Sequence, residues 1–329
     1  MSNRPKIGVA LSGASGRAIA HIGVLEVLRE NDIPIDYMVG CSSGALISAS
    51  FATDTLELLK EELHTLTIRK LLNTWSFRAR GAIFDYNAAD VFQKYTKGLS
   101  FHEVANPRLG FVATDLDSGD IVNITEGDLL PAIKASCAAP GLFEPVIMNG
   151  RILVDGGLSN VVPTKAAKSM GADIVIGVNI ASSKFIYEKR LPIWRGYRFV
   201  TRMLGLQFIR EKILPMLSSR ILFQFDSQSD TLEEEDIKIP GMLSVLTKAL
   251  DHALLRSEQW TESELACDWM IEPRVKHLGK AEFDKLDFIY EEGRRAAKLA
   301  IPHIKKLIEN YKPPVLEKIG QEIQNLIKD

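Results

Sequence analysis

Hydrophobic and polar positions follow two alternating rhythms through about residue 180. Residues 6–12 are a short apolar run that ends in Ser12-Gly13, the pattern of a buried strand entering a tight turn. Ile19, Ile22, Gly23, Val24, Val27 and Leu28 then recur at helical spacing. Ile33 to Val39 read as a second strand that stops at Gly40, and the small residues from Ser43 to Ala52 predict a helix packed close to a sheet. Residues 55–72 and 86–97 are further helix candidates. Residues 108–116 and 120–125 alternate like strands around the turn Asp117-Ser118-Gly119. Val146 to Met148 and Ile152 to Val154 flank Asn149-Gly150, a hairpin signal. Residues 161–170 predict a helix, and Asp173 to Ile180 a buried strand. This alternation predicts an α/β layered domain with a largely parallel sheet and one hairpin excursion.

The rhythm changes after residue 181. Between 184 and 224, nine lysines and arginines face only Glu188 and Glu211, interleaved with Phe185, Tyr187, Trp194, Tyr197, Phe199, Phe208 and Phe223. That composition suits a lid or a membrane-docking element, where basic side chains meet anionic headgroups and aromatics enter the interface. It suits equally a pair of packed amphipathic helices. An acidic patch follows at Glu233, Glu234, Glu235 and Asp236. Residues 241–265 and 286–311 predict helices, Trp269 to Ile271 a last strand, and 315–328 a final amphipathic segment after Pro313-Pro314. With no internal repeat or low-complexity linker, the expected division is a catalytic core at 1–181 and a largely helical region at 182–329 packed on the same core.

Composition narrows the class. The 329 residues are 46% hydrophobic and 25% charged, which excludes a disordered or fibrous chain. Forty basic residues against 42 acidic ones argue against a general nucleic-acid binder. Cys41, Cys137 and Cys267 are too few and too scattered for a disulfide framework or a zinc site, so a reducing compartment is expected. No run of about 18 apolar residues offers a spanning helix, and the N-terminal apolar run is too short for a signal peptide. The expectation is a cytoplasmic protein, with peripheral contact at a membrane surface allowed. No metal-binding spacing occurs, and no cofactor is expected.

The most informative segment is Gly40-Cys41-Ser42-Ser43-Gly44. It fits G-x-S-x-G at a predicted strand-to-helix junction, where flanking glycines permit a sharp turn that exposes the middle serine. Ser42 is therefore the candidate nucleophile, Ser43 the adjacent alternative, and Gly40 and Gly44 the elbow. A serine hydroxyl needs an oxyanion site and a base. The turn Gly13-Ala14-Ser15-Gly16-Arg17 lies between a strand and a helix, so its backbone N–H groups can converge on one oxygen. The same turn could hold a phosphate, although no P-loop lysine is present and the G-x-G-x-x-G spacing fails. None of the six histidines sits in a glycine-flanked turn, and His21 reads as a packed residue of the first helix. Asp155-Gly156-Gly157 follows a strand and turns tightly, which points to a Ser42–Asp155 pair without histidine.

Three blocks in order resemble the patatin-like phospholipases, the bacterial branch in particular. They are Leu11 to Leu25, Gly40 to Ala45, and Asp155-Gly156-Gly157 with Asn160 and Pro163 just beyond. Ala135 to Phe143 is similar to a family segment that precedes the aspartate, and the resemblance covers about residues 6–181. It implies a three-layer α/β/α fold and a Ser–Asp dyad acting on acyl esters of lipids. Ser42 would then be the nucleophile and Asp155 the base, with backbone N–H groups of Gly13, Ala14 and Ser15 as the oxyanion hole. Arg17 matches the family's basic residue, which would face a phosphate headgroup; a surface arginine at a helix start is the plainer alternative. The family's usual glycine run is replaced here by Gly13, Ala14, Ser15, Gly16, Arg17 and Ala18. Alanine and serine keep the N–H, but a positive φ costs them about 1–2 kcal/mol. An acyltransferase or a thioesterase would use the same dyad, and a catalytically silent lipid-binding scaffold is the reading from a different class.

Overall fold

The structure, a computed structural model, describes residues 4–65, 76–77, 82–85, 89–181, 245–246, 249, 267–278 and 285–313. The lid candidate at 184–224, the acidic patch, most of the 241–265 helix and the 315–328 segment lie outside the described residues.

The expected strand–helix alternation is present. Strand β1 (Ile7–Leu11) leads through a 3-10 turn (Ser15–Ala18) into helix α1 (Ile19–Glu30). Strand β2 (Tyr37–Cys41) leads into α2 (Ser43–Ala52), followed by α3 (Leu56–Thr65) and α4 (Ala89–Thr96). Next come the hairpin β5 (Arg108–Asp115) and β6 (Ile121–Ile124), helix α5 (Leu129–Ser136), and the hairpin β8 (Val146–Met148) and β9 (Arg151–Asp155). Helix α6 (Thr164–Ser169), strand β10 (Ile174–Val178), strand β11 (Trp269–Ile271) and the long helix α7 (Leu286–Glu309) follow. Three short strands were not foreseen: β3 (Ser76–Phe77), β4 (Ala82–Asp85) and β7 (Gly141–Phe143) form a small separate sheet.

The main sheet has eight strands in the order β11-β10-β1-β2-β5-β9-β8, with β6 also on β5. The run β11-β10-β1-β2-β5 is parallel, whereas β5–β6, β5–β9 and β8–β9 are antiparallel. The sheet is therefore mixed, with two hairpins rather than the single excursion expected. Side chains divide between its faces with the period of two that strands impose. Ile7, Val9, Leu11, Met38, Leu109, Phe111, Ile176 and Val178 join the large core beneath α1, α2, α5 and α7. Val39, Val112 and Val175 face the other way, against Ala166 and Ala167 of α6. Helices on both faces make the three layers.

Helix α7 belongs to this body. Its Ile289, Ala297, Ala300 and Ile304 are buried in the large core, packed on α1. Glu26 of α1 accepts from Lys60 of α3 (2.8 Å), from Arg294 of α7 (2.8 Å) and from the Tyr290 hydroxyl. Burial works against a charge on Glu26, yet these donors outweigh it and hold the carboxyl below its usual range.

Register along β5 explains what this sheet does. Residues 108–112 pair with β2, 111–114 with β6 and 113–115 with β9. Since β6 overlaps both of the others, β2 and β9 must share the opposite edge of β5. Strand β2 runs parallel to β5 and ends at Cys41, opposite Val112. Strand β9 runs antiparallel and ends at Asp155, opposite Ala113. Two strand C-termini thus meet end to end at consecutive positions of one edge.

Candidate active site

That junction brings Ser42 and Asp155 together. Ser42 Oγ donates to Asp155 Oδ2 at 2.6 Å, across 113 residues of chain. The second carboxylate oxygen, Oδ1, accepts the Gly157 N–H at 2.7 Å, which orients the carboxylate from the turn that follows β9. Both side chains are half-buried.

Ser42 occupies φ 53° and ψ −125°, a strained positive-φ conformation that costs a serine about 1–3 kcal/mol. The turn reverses the chain between β2 and α2 and leaves Oγ projecting from it. The flanking glycines are required by space: a Cβ on Gly40 would lie 2.4 Å from Ala45 N, and one on Gly44 2.4 Å from Leu11 O. Ser43, the alternative nucleophile, has a different task. Its Oγ accepts the Ala14 N–H at 3.0 Å and ties the elbow to the 13–17 turn.

That turn lies beside Ser42. A Cβ on Gly13 would stand only 2.7 Å from Ser42 Cβ. Of the three expected donors, Ala14 donates to Ser43 and Gly13 faces the Cys41 thiol, a weak acceptor, while Ser15 lies just beyond them. Ser15 sits at φ 50°, the positive region that the altered glycine run put in question, so serine here tolerates what glycine would adopt freely.

Arg17 departs from expectation. It is only 4% exposed, and its guanidinium donates inward to the carbonyl oxygens of Ile180 (3.3 Å), Lys276 (3.3 Å) and Leu278. A guanidinium spent on three backbone carbonyls is a strap between the turn and the C-terminal segment, not a group facing a headgroup.

His21 is wholly buried, and its Nε2–H donates to Ser12 O at 2.8 Å. Burial lowers its pKa to about 4, against a smaller opposing effect of the Ser12 carbonyl, so the ring is neutral and remote from proton transfer. Two thiols surround the dyad. Cys41 is buried, and Cys137 lies against the Ser42 side chain; burial first, and then the charge of Asp155, pushes both thiols well above their usual range. They remain neutral neighbours.

Sequence reasoning missed Ser43 as a brace and Ser136, whose buried hydroxyl accepts the Ser42 N–H at 2.8 Å. The signal at Ser136 was its place in the Ala135–Phe143 segment, but no periodicity assigns a role to one hydroxyl. Among the described residues no group of three His, Cys, Asp or Glu could hold a metal ion, and no helix is long and apolar enough to cross a membrane.

Comparison with known proteins agrees with this core. Residues 9–168 match the model of the patatin-like phospholipase family. An uncharacterized NTE family protein of Mycobacterium tuberculosis is 31% identical over 185 residues, 56% of this chain and 51% of the relative. A second one from the same organism is 27% identical over 312 residues, 90% of this chain and 46% of the relative. Patatin-like phospholipase domain-containing protein 6 of mouse is 23% identical over 304 residues, 89% of this chain and 20% of that protein. The chain spans about half the length of the mycobacterial relatives, and less of the mouse one. Residues 9–168, the core that carries the Ser42–Asp155 contact, belong to the patatin-like phospholipase family.

Proposed function

We propose that the protein is a serine acyl-ester hydrolase acting on phospholipids or lysophospholipids, with Ser42 as nucleophile and Asp155 as its base. The observation that carries this reading is the 2.6 Å hydrogen bond from Ser42 Oγ to Asp155 Oδ2 at the meeting of β2 and β9. Family membership supports the lipid-ester substrate class. The dyad needs no histidine, and His21 is committed to Ser12 O.

Asp155 takes the hydroxyl proton as Ser42 Oγ attacks the ester carbonyl carbon. The carbonyl oxygen becomes an oxyanion, stabilised by N–H groups of the Gly13–Ser15 turn. Gly13, Ala14 and Ser15 are the donors of that turn, and Ala14 also holds its shape through Ser43. Collapse of the tetrahedral intermediate breaks the ester C–O bond. Asp155 returns the proton to the departing alcohol or lysolipid, leaving Ser42 acylated. Asp155 then deprotonates water, which attacks the acyl carbonyl; the fatty acid leaves and the proton returns to Ser42.

The test is fluorophosphonate labelling with mass-spectrometric mapping, alongside release of fatty acid from phospholipid and lysophospholipid vesicles. Label at Ser42 with fatty-acid release is expected. Ser42→Ala and Asp155→Asn should each lower turnover by about a thousandfold or more in folded protein. Label at Ser43, or an Asp155→Asn enzyme of near-normal rate, overturns the dyad. Because no step uses a metal, turnover should survive EDTA; loss on chelation that calcium restores contradicts the mechanism. Transfer of the acyl group to an added alcohol or lysolipid, in preference to water, would make the protein an acyltransferase.

A further inference from the structure

The end of α5 and the residues just after it touch both members of the dyad through a hydroxyl and a backbone carbonyl, and neither contact takes part in the chemistry above. Ser136, the last residue of α5, is 0% exposed. Its Oγ accepts the Ser42 N–H at 2.8 Å and donates to Val112 O at 2.7 Å. Two residues on, Ala138 O accepts the Asp155 N–H at 2.9 Å. Between them, the Cys137 thiol lies against the Ser42 side chain.

The register gives these contacts a reason. Cys41 is the last residue of β2 and stands opposite Val112. Were β2 to continue in parallel, its next amide, Ser42 N–H, would donate to Val112 O. The elbow turns the chain away at that residue, with φ 53°. One amide and one carbonyl would then lose their ladder partner inside the protein. The Ser136 hydroxyl is inserted between them, as acceptor to the first and donor to the second. A hydroxyl can do both at once; an alanine can do neither.

We infer that Ser136 is a positioning residue for the nucleophile: its hydroxyl fixes the Ser42 backbone in the conformation that aims Oγ at Asp155. The inference rests on the dyad reading and deepens it. It also means that the Ser42 N–H is occupied, which leaves stabilisation of the oxyanion to the Gly13–Ser15 turn. Without the hydroxyl, the Ser42 amide seeks another acceptor, the turn rotates, and Oγ leaves its line to Asp155. Small misplacements of a reacting atom cost on the order of a hundredfold in rate.

The experiment compares wild type, Ser136→Ala and Ser136→Thr by the second-order rate of fluorophosphonate labelling at Ser42, by kcat and KM on a p-nitrophenyl ester, and by thermal unfolding. Rates are normalised to the concentration of labelled sites, so partial unfolding does not register as slow chemistry. Ser136→Ala is expected to label about tenfold to a hundredfold more slowly, with kcat reduced in proportion and KM unchanged. Ser136→Thr, which keeps the hydroxyl, should recover most of that loss. If the alanine variant fails to fold, Ser136→Cys takes its place: a thiol of similar shape is a poor acceptor and should show the same loss. A folded variant without the hydroxyl that labels within about twofold of wild type overturns the inference. Wild-type protein that carries no label at Ser42 overturns the dyad reading instead, and the inference falls with it.

Discussion

At the scale of single residues, the site is held by contacts too close to admit alternatives. Gly13 illustrates this. Its Cα faces Ser42 so directly that an added methyl would stand 2.7 Å from the nucleophile's Cβ and 3.2 Å from Cys41 O. Gly13→Ala is therefore expected to push Ser42 off Asp155 or tilt the oxyanion turn, with fluorophosphonate labelling falling at least about a hundredfold. Equal labelling of this variant and wild type would place the oxyanion donors elsewhere. His21 acts through Ser12, the residue before that glycine. The unfolded chain protonates His21 near pH 6.5, whereas the folded chain resists until about pH 4. Below pH 6.5 the unfolded state binds more protons, so stability present at pH 7 is lost as pH falls towards 4. From pH 7 to pH 5 that loss is about 2 kcal/mol. Depressed carboxylates such as Glu26 and Asp36 keep their contribution through most of this window and lose it as pH falls below their unfolded values. Urea midpoints at pH 7 and pH 5 for wild type and His21→Gln provide the check. The wild type should lose stability over the interval that the variant, having no titrating ring, largely keeps.

At the scale of elements, the crossing of α1 and α7 carries the largest interface between helices among the described residues. It is close enough that the two backbones touch: a Cβ on Gly293 would lie 2.1 Å from Ala20 O, and one on Gly23 2.4 Å from Tyr290 O. Helix propensity alone favours alanine over glycine in a helix by about 1 kcal/mol. Packing should reverse that sign here, because the obstacle is backbone and cannot swing away. Gly293→Ala is expected to destabilise by about 2–3 kcal/mol, read as a lower urea midpoint at unchanged slope. A higher midpoint would mean that the helices cross at a greater distance. These elements differ in how legible they were. Helix α7 declared itself through apolar residues from Leu286 to Ile304 at helical spacing, and the β8–β9 hairpin through Asn149-Gly150. Helix α5 did not, because eight residues with Pro131 near the start give too short a period to recognise. Strands β3, β4 and β7 are two to four residues long, too short for a pattern to show, and the sheet exists only because β4 pairs with the distant β7.

At the scale of the whole molecule, the body around Ser42 and Asp155 draws on chain far outside the segment that matches the family. Ser42 and Asp155, the proposed nucleophile and base, were legible because glycine-flanked turns after strands are local patterns. Their meeting was not, since it needs β2 and β9 to share one edge of β5 across 113 residues. The same holds for what supports them. The family match ends at residue 168, yet β10 and β11 extend the sheet beyond β1, and α7 covers α1. Arg17, in the 13–17 turn itself, donates to carbonyls at 180, 276 and 278. Removing 182–329 would expose the α1 surface now covered by Ile289, Ala297 and Ile304, and leave a buried guanidinium without two of its acceptors. Apolar burial is the main favourable contribution to folding, and a buried charged donor left unpaired costs more than its bond contributed. A chain ending at Ala181 should therefore show no cooperative urea transition, bind hydrophobic dyes and take no fluorophosphonate label. A cooperative transition near the full-length midpoint, with Ser42 still labelled, would make residues 1–181 an independent catalytic domain and reduce α7 to an appendage.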